Sequence, residues 1–237
     1  MDAVESASEL ITSKFPDARA AFLGGGVLTG RRTPTSDLDV VVLLDGPPAP
    51  YRESLRWRGW PVELFVHDEV SLVCYFHQDC ACRRPILPRM VADGVVLADR
   101  DGAAAEAANK ARDLLSSGPP PLDRAELDRR RYGLSDLLDD LAGSTDPGET
   151  AIISWTLLVG TAELLLLAEH RWLGGGKWLL RELRDLDAGF ADGLMAARDD
   201  PAELTRLAEG VLTRAGGRLW EGYRESGTTA SPRCVTD

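Results

Sequence analysis

Basic charge, cysteine and long apolar runs are all scarce in this chain, and each shortage excludes something. Lys and Arg number 27 against 38 Asp and Glu, a formal net charge of -11 over 237 residues. A protein that grips nucleic acid through a broad basic surface is excluded by that balance. Neither half of the chain is basic. Residues 1–118 carry 13 basic and 17 acidic groups, net -4, and residues 119–237 carry 14 and 21, net -7. Only three of the basic residues are lysines, Lys14, Lys110 and Lys177. Four cysteines, Cys74, Cys80, Cys82 and Cys234, are too few to staple a chain of this size, so a reducing, cytoplasmic location is expected. The longest apolar stretch, residues 157–168, is broken by Gly160, Thr161 and Glu163. It falls short of the roughly 18 residues that span a bilayer, and no membrane association is expected. The start, Met1-Asp-Ala-Val-Glu, lacks the basic and apolar segments of a signal peptide.

What remains is an ordinary globular composition whose pattern changes at Gly118-Pro119-Pro120-Pro121. Before this linker, short β-branched runs alternate with helical stretches. Helices are expected over residues 5–15, 68–80 and 103–115, the second capped by Asp68. Strands are expected over 18–23, 38–44 and 95–97, with a hairpin of 51–58 and 61–66 about Gly59. Residues 27–31 suit the first turns of a helix after a glycine bend. After the linker no strand is evident. Helices are expected from Asp123 to about residue 141, from Pro147 to near Trp172, from Lys177 onward and from Pro201. The expected architecture is α+β: a small mixed-sheet domain over 1–118, an all-α bundle over 122–225, and a disordered tail over 226–237.

The segment that carries chemistry runs from Gly24-Gly25-Gly26 through Gly30 to Ser36-Asp37-Leu38-Asp39 and the apolar run 40–44. Glycines at the end of a strand let the backbone approach a ligand and aim amide N–H groups at it. Asp37 and Asp39 stand two apart at the start of a strand, so both carboxylates project from one face. Two carboxylates on one face repel unless a cation lies between them, and such hard oxygen donors suit Mg²⁺. Glu63, in Pro61-Val62-Glu63-Leu64-Phe65, is flanked by apolar residues. On a strand beside 38–44 it would face the same site, as a metal ligand, a general base, or both.

This constellation resembles the nucleotidyltransferase superfamily of polymerase-β-like enzymes. Its signature is a Gly-Ser turn, about ten residues, Asp-x-Asp, and a later acidic residue on a strand. Gly25-Gly26 takes the Gly-Ser place, Gly30 that of a second glycine, and Ser36 through Asp39 that of the acidic element. Gly26 departs from the family's serine, which removes a hydroxyl contact to phosphate and keeps the amide. A helical domain after the first resembles the two-domain antibiotic nucleotidyltransferases. The resemblance implies Mg²⁺ on Asp37, Asp39 and Glu63, and phosphates on Gly25 and Gly26 with help from Ser36. It implies Lys177 and Arg171 as cations for the triphosphate of ATP or another nucleoside triphosphate. It also implies a small hydroxylated acceptor, cationic in the case of an aminoglycoside. Two alternatives stand beside it: adenylylation of a partner protein, as in antitoxin-type members, and a non-catalytic nucleotide-binding module, which Gly26 favours. Other features have plainer readings. Asp136, Asp139 and Asp140 share one helix face as a solvated acidic surface, and His77, Cys80 and Cys82 fall one ligand short of a closed zinc site.

Overall fold

The computed structural model describes residues 2–28 and 33–226. Gly30, the end of the short helix expected over 27–31, and the tail 227–237 lie outside the described residues. The chain divides into two compact units, 1–118 and 119–237.

The first unit is built on five strands. These are β1 (Ala20–Gly24), β2 (Leu38–Leu43), β3 (Tyr51–Trp57), β4 (Trp60–His67) and β5 (Val95–Asp99). Their order across the sheet is β3-β4-β2-β1-β5. Only β2 and β4 run parallel, and the other pairs are antiparallel. The sheet is covered on both faces, which is why β2 reads as an unbroken apolar run. On one face α1 (Ala3–Lys14) packs its Leu10 and Ile11 against Val40, Val42 and Leu64. On the other, α2 (Glu69–Ala81), α3 (Ile86–Ala92) and α4 (Ala103–Ser116) pack Phe76, Met90 and Ala111 against Phe22, Val41 and Leu43. Each such Val, Leu or Phe, fully buried, stabilises the fold by about 1.5–3 kcal/mol.

Local chemistry sets the element ends. Asp68 accepts from the Ser71 N–H at 2.7 Å and Ser71 answers with a bond to the Asp68 N–H, a complete capping box for α2. Arg58 and Gly59 both have positive φ, 47° and 89°, between the paired Trp57 and Trp60. That is a two-residue hairpin turn whose twist matches the strands and so fixes the β3–β4 register. Helix α3 was not expected from the sequence. Pro88 lies in its first turn, where a missing N–H breaks no intrahelical bond.

The second unit is all helix: α5 (Arg124–Gly143), α6 (Pro147–Ala168), α7 (Lys177–Leu186), α8 (Ala188–Ala196) and α9 (Pro201–Arg214). Asp123, Asp146 and Asp200 cap α5, α6 and α9 through backbone N–H groups. Leu138, Leu157, Leu164, Leu183, Leu204 and Val211 meet in its core. Arg131 is buried there, its guanidinium donating to the Gly216 and Gly217 carbonyls and to Asp128.

Three sequence expectations change here. Helix α6 stops at Ala168, short of Trp172, because His170 turns left-handed at φ 52° and the Arg171 N–H reaches back to the Leu166 carbonyl. That closure ends a helix without a glycine. Moreover, α6 is long and apolar enough by length and composition to cross a bilayer, despite Gly160, Thr161 and Glu163. Half of that apolar window is buried within the unit, with Leu157 and residues 164–167 in its core. Helix α8 was also unexpected, since Gly189 and Gly193 lower its propensity; Asp187 caps it through the Phe190 N–H.

Candidate active site

The strand register builds the site. Gly24 on β1 pairs with Asp39 on β2, and Asp39 pairs with Glu63 on β4. Directly paired residues share a sheet face, so these three form one row across three strands. Asp37 joins them from the residue before β2, two positions from Asp39. The face is the one that α2–α4 cover further along, over Val41 and Leu43. At the row itself the cover thins: Asp39 and Glu63 are half-buried while Val41 and Leu43 are buried.

Ligand oxygens of Asp37, Asp39 and Glu63 all lie within 4.8 Å of one another. Among the described residues this is the one group of three or more acidic, His or Cys side chains that converges so. The donor set suits Mg²⁺. With bonds near 2.1 Å, oxygens on opposite sides of one such ion stand about 4.2 Å apart. Neighbouring oxygens on such an ion stand about 3.0 Å apart, so a contraction of up to about 2 Å gathers all three carboxylates on a single ion. Without a cation the cluster is destabilising, since like charges at this separation repel.

The glycine bend lies against the same carboxylates. Gly25 has φ 79°, a left-handed conformation that favours glycine, and a Cβ built there would collide with the Asp39 carboxylate. Gly26 opens a 3₁₀ turn, Gly26–Leu28, and a Cβ there meets nothing within 4 Å. The two neighbouring glycines thus do different things. Gly25 is required for close packing on Asp39, whereas Gly26 has room for a side chain.

The remaining sequence-predicted residues fall as follows. Ser36 precedes Asp37 in a tight turn, where its hydroxyl accepts from the Thr33 N–H at 2.9 Å while its own N–H donates to the Thr33 carbonyl. Its hydroxyl serves the loop that presents Asp37. Arg171 and Lys177 belong to the second unit and are exposed; Lys177 opens α7 directly after Gly176. His77, Cys80 and Cys82 do not form a converging metal group.

One participant was not singled out from the sequence. Arg52 on β3 donates from Nη2 to Glu63 Oε2 at 2.8 Å, with its guanidinium 4.9 Å from the centre of the Phe65 ring. The signal was present in the hairpin. Counting outward from Arg58-Gly59 puts Ser54 opposite Glu63 and Arg52 one diagonal away.

The family described as nucleotidyltransferase domain matches residues 4–87, a span that holds the glycine bend and all three acids. A solved structure of a nucleotidyltransferase-like protein from Exiguobacterium sibiricum 255-15 aligns with 89% of this chain and 74% of its own. The identity is 13% and the TM-score 0.46. No protein of curated function matches the chain. Over residues 4–87 the chain is thus similar to nucleotidyltransferase domains.

Proposed function

We propose that the chain is a Mg²⁺-dependent nucleotidyltransferase that moves AMP from ATP to a hydroxyl of a small molecule, releasing pyrophosphate. The observation that carries this reading is the convergence of Asp37, Asp39 and Glu63 beside the Gly25 bend. Asp37 and Asp39 hold the metal, and Glu63 stands beside them as the general base. Bound there, Mg²⁺ supplies charge stabilisation for the phosphoryl group in transfer. The Gly25 and Gly26 backbone holds the phosphates at the bend. The acceptor oxygen attacks the α-phosphorus and the bond from that phosphorus to the bridging oxygen breaks. Glu63 takes the acceptor's hydroxyl proton, and pyrophosphate leaves with the bond's electron pair. Arg52 holds one Glu63 oxygen, so the proton goes to the other. The ATP this chemistry consumes and the Mg²⁺ it uses fit a cytoplasmic location.

The test is incubation with α-labelled ATP, Mg²⁺ and pools of hydroxylated small molecules. Label on a small molecule together with free pyrophosphate is expected, and neither with Asp39→Asn. Transfer that survives Asp39→Asn would sink the assignment; label on protein alone would turn it toward the antitoxin-type activity.

A further inference from the structure

The row Gly24–Asp39–Glu63 has a fourth member. Ser54 pairs with Glu63 in the β3–β4 register, so both stand on one face. Arg52 and Arg56, two positions to either side of Ser54, share that face because strand side chains alternate. All three are exposed, while Tyr51, Leu55 and Trp57 are half-buried and turn toward the α1 side of the sheet. Glu63 thus has two arginines as its diagonal neighbours, Arg52 paired with Phe65 and Arg56 with Pro61. Diagonal neighbours in a sheet lie about 7–8 Å apart, within reach of long side chains. The two are used differently. Arg52 is tied to Glu63, whereas Arg56 makes no ion pair among the described residues. Strand β3 is the sheet's edge, so no further strand competes for these groups.

We propose that Arg52, Ser54 and Arg56 form an anion subsite on the acceptor side of the catalytic row, so that the acceptor carries a carboxylate or phosphate beside its reactive hydroxyl. The proposal rests on the nucleotidyl-transfer reading above, which orders the row. In-line displacement puts the attacking and leaving oxygens on opposite sides of the phosphorus. Pyrophosphate departs toward the glycine bend after β1, which leaves the β4–β3 side for the acceptor. An acceptor arriving there passes Glu63 and then meets the edge strand. In a chain of net charge -11 an anionic acceptor needs local cations. Guanidinium groups present forked N–H donors that match carboxylate and phosphate oxygens. Arg52 serves Glu63 through Nη2 and keeps further N–H donors. The Ser54 hydroxyl lies between the two arginines. A cationic acceptor, an aminoglycoside included, meets like charge at this edge.

The test uses the full chain with ¹⁵N-labelled arginine and follows the side-chain Nε–H signals of Arg52 and Arg56 by NMR. Inorganic phosphate is titrated in at constant ionic strength, and sodium acetate in a parallel series separates phosphate from carboxylate preference. Saturable shifts of both signals are expected, with apparent affinity roughly tenfold weaker in Arg56→Gln, the loss of one charge-assisted hydrogen bond. Shifts that rise linearly without saturation, as at the exposed Arg124, overturn the proposal, and so does unchanged affinity in Arg56→Gln. A separate Mn²⁺ titration reads paramagnetic broadening of amides around Asp39. Broadening kept while phosphate gives a linear response sinks the subsite alone. Broadening absent sinks the metal reading and the acceptor assignment with it.

Discussion

Replacing Gly25 with alanine puts a methyl group where the Asp39 carboxylate stands, whereas the Cβ of a serine at Gly26 enters open space. The pair of substitutions separates a site effect from a backbone effect within two residues. At Gly25 the left-handed φ of 79° costs a non-glycine residue about 1–2 kcal/mol. Spread over a unit of this size, that lowers Tm by roughly 5–10 °C. The overlap with Asp39 is the larger effect on function, because the carboxylate has to swing away. Partners that merely orient metal ligands are worth about 10–100-fold in affinity. Displacing a ligand itself therefore weakens divalent-ion and ATP binding by roughly 100-fold or more. Gly26→Ser has no positive φ and no clash to resolve, so its stability stays within about 0.5 kcal/mol of the parent. Its hydroxyl supplies the phosphate contact that the family's serine makes. A net hydrogen bond of about 0.5–1.5 kcal/mol tightens ATP roughly 2–10-fold. Mn²⁺ binding by electron paramagnetic resonance, equilibrium binding of labelled ATP and a thermal melt on each variant measure all three quantities. Equal metal affinity in Gly25→Ala and the parent refutes the packing of the bend on Asp39. An equal loss in both variants refutes the distinction between the glycines.

Asp37→Asn abolishes metal-dependent ATP binding yet raises Tm in metal-free buffer, because it relieves repulsion within the cluster; a lower metal-free Tm contradicts the clustering. Glu63→Gln raises the metal-free Tm less than Asp37→Asn does, since it also breaks the ion pair with Arg52, and a melt of the two side by side decides. His67 is buried on β4, its Nδ1 without a hydrogen-bond partner among the described residues, and burial holds its pKa below the usual 6.5. The unfolded chain therefore takes up the proton first. Stability is complete above the unfolded value and declines as pH falls through it, from about pH 7 toward 5. His67→Gln flattens that part of a denaturation-versus-pH curve, and an unchanged slope argues against the buried neutral imidazole. Arg131→Met strands the Gly216 and Gly217 carbonyls and Asp128 and costs roughly 3–5 kcal/mol by chemical denaturation; a cost under about 1 kcal/mol removes Arg131 from the anchors of the second unit.

Strands β2 and β4, the hairpin turn and the Asp caps were legible because each rests on residues a few positions apart. The apolar run after Asp39, the Arg58-Gly59 turn and Asp68 with Ser71 carry their geometry in the local chain. The less legible elements went against local preference and formed because packing outweighed it. Helix α3 accommodates a proline in its first turn, α8 accommodates two glycines, and α6 ends on a left-handed histidine in place of a glycine.

Sequence alone determined that Asp37 and Asp39 face one way and that a glycine bend precedes them, since alternation along a strand and left-handed φ are properties of neighbouring residues. Only the tertiary structure decided that Glu63 faces them. That depends on β2 and β4 pairing in parallel with Asp39 opposite Glu63, and a slip of one residue would turn Glu63 to the α1 side. The hold of Arg52 on Glu63 and the seat of the Asp39 carboxylate against Gly25 were decided in the same way, by strands distant in sequence brought into register by a core buried on both faces of the sheet.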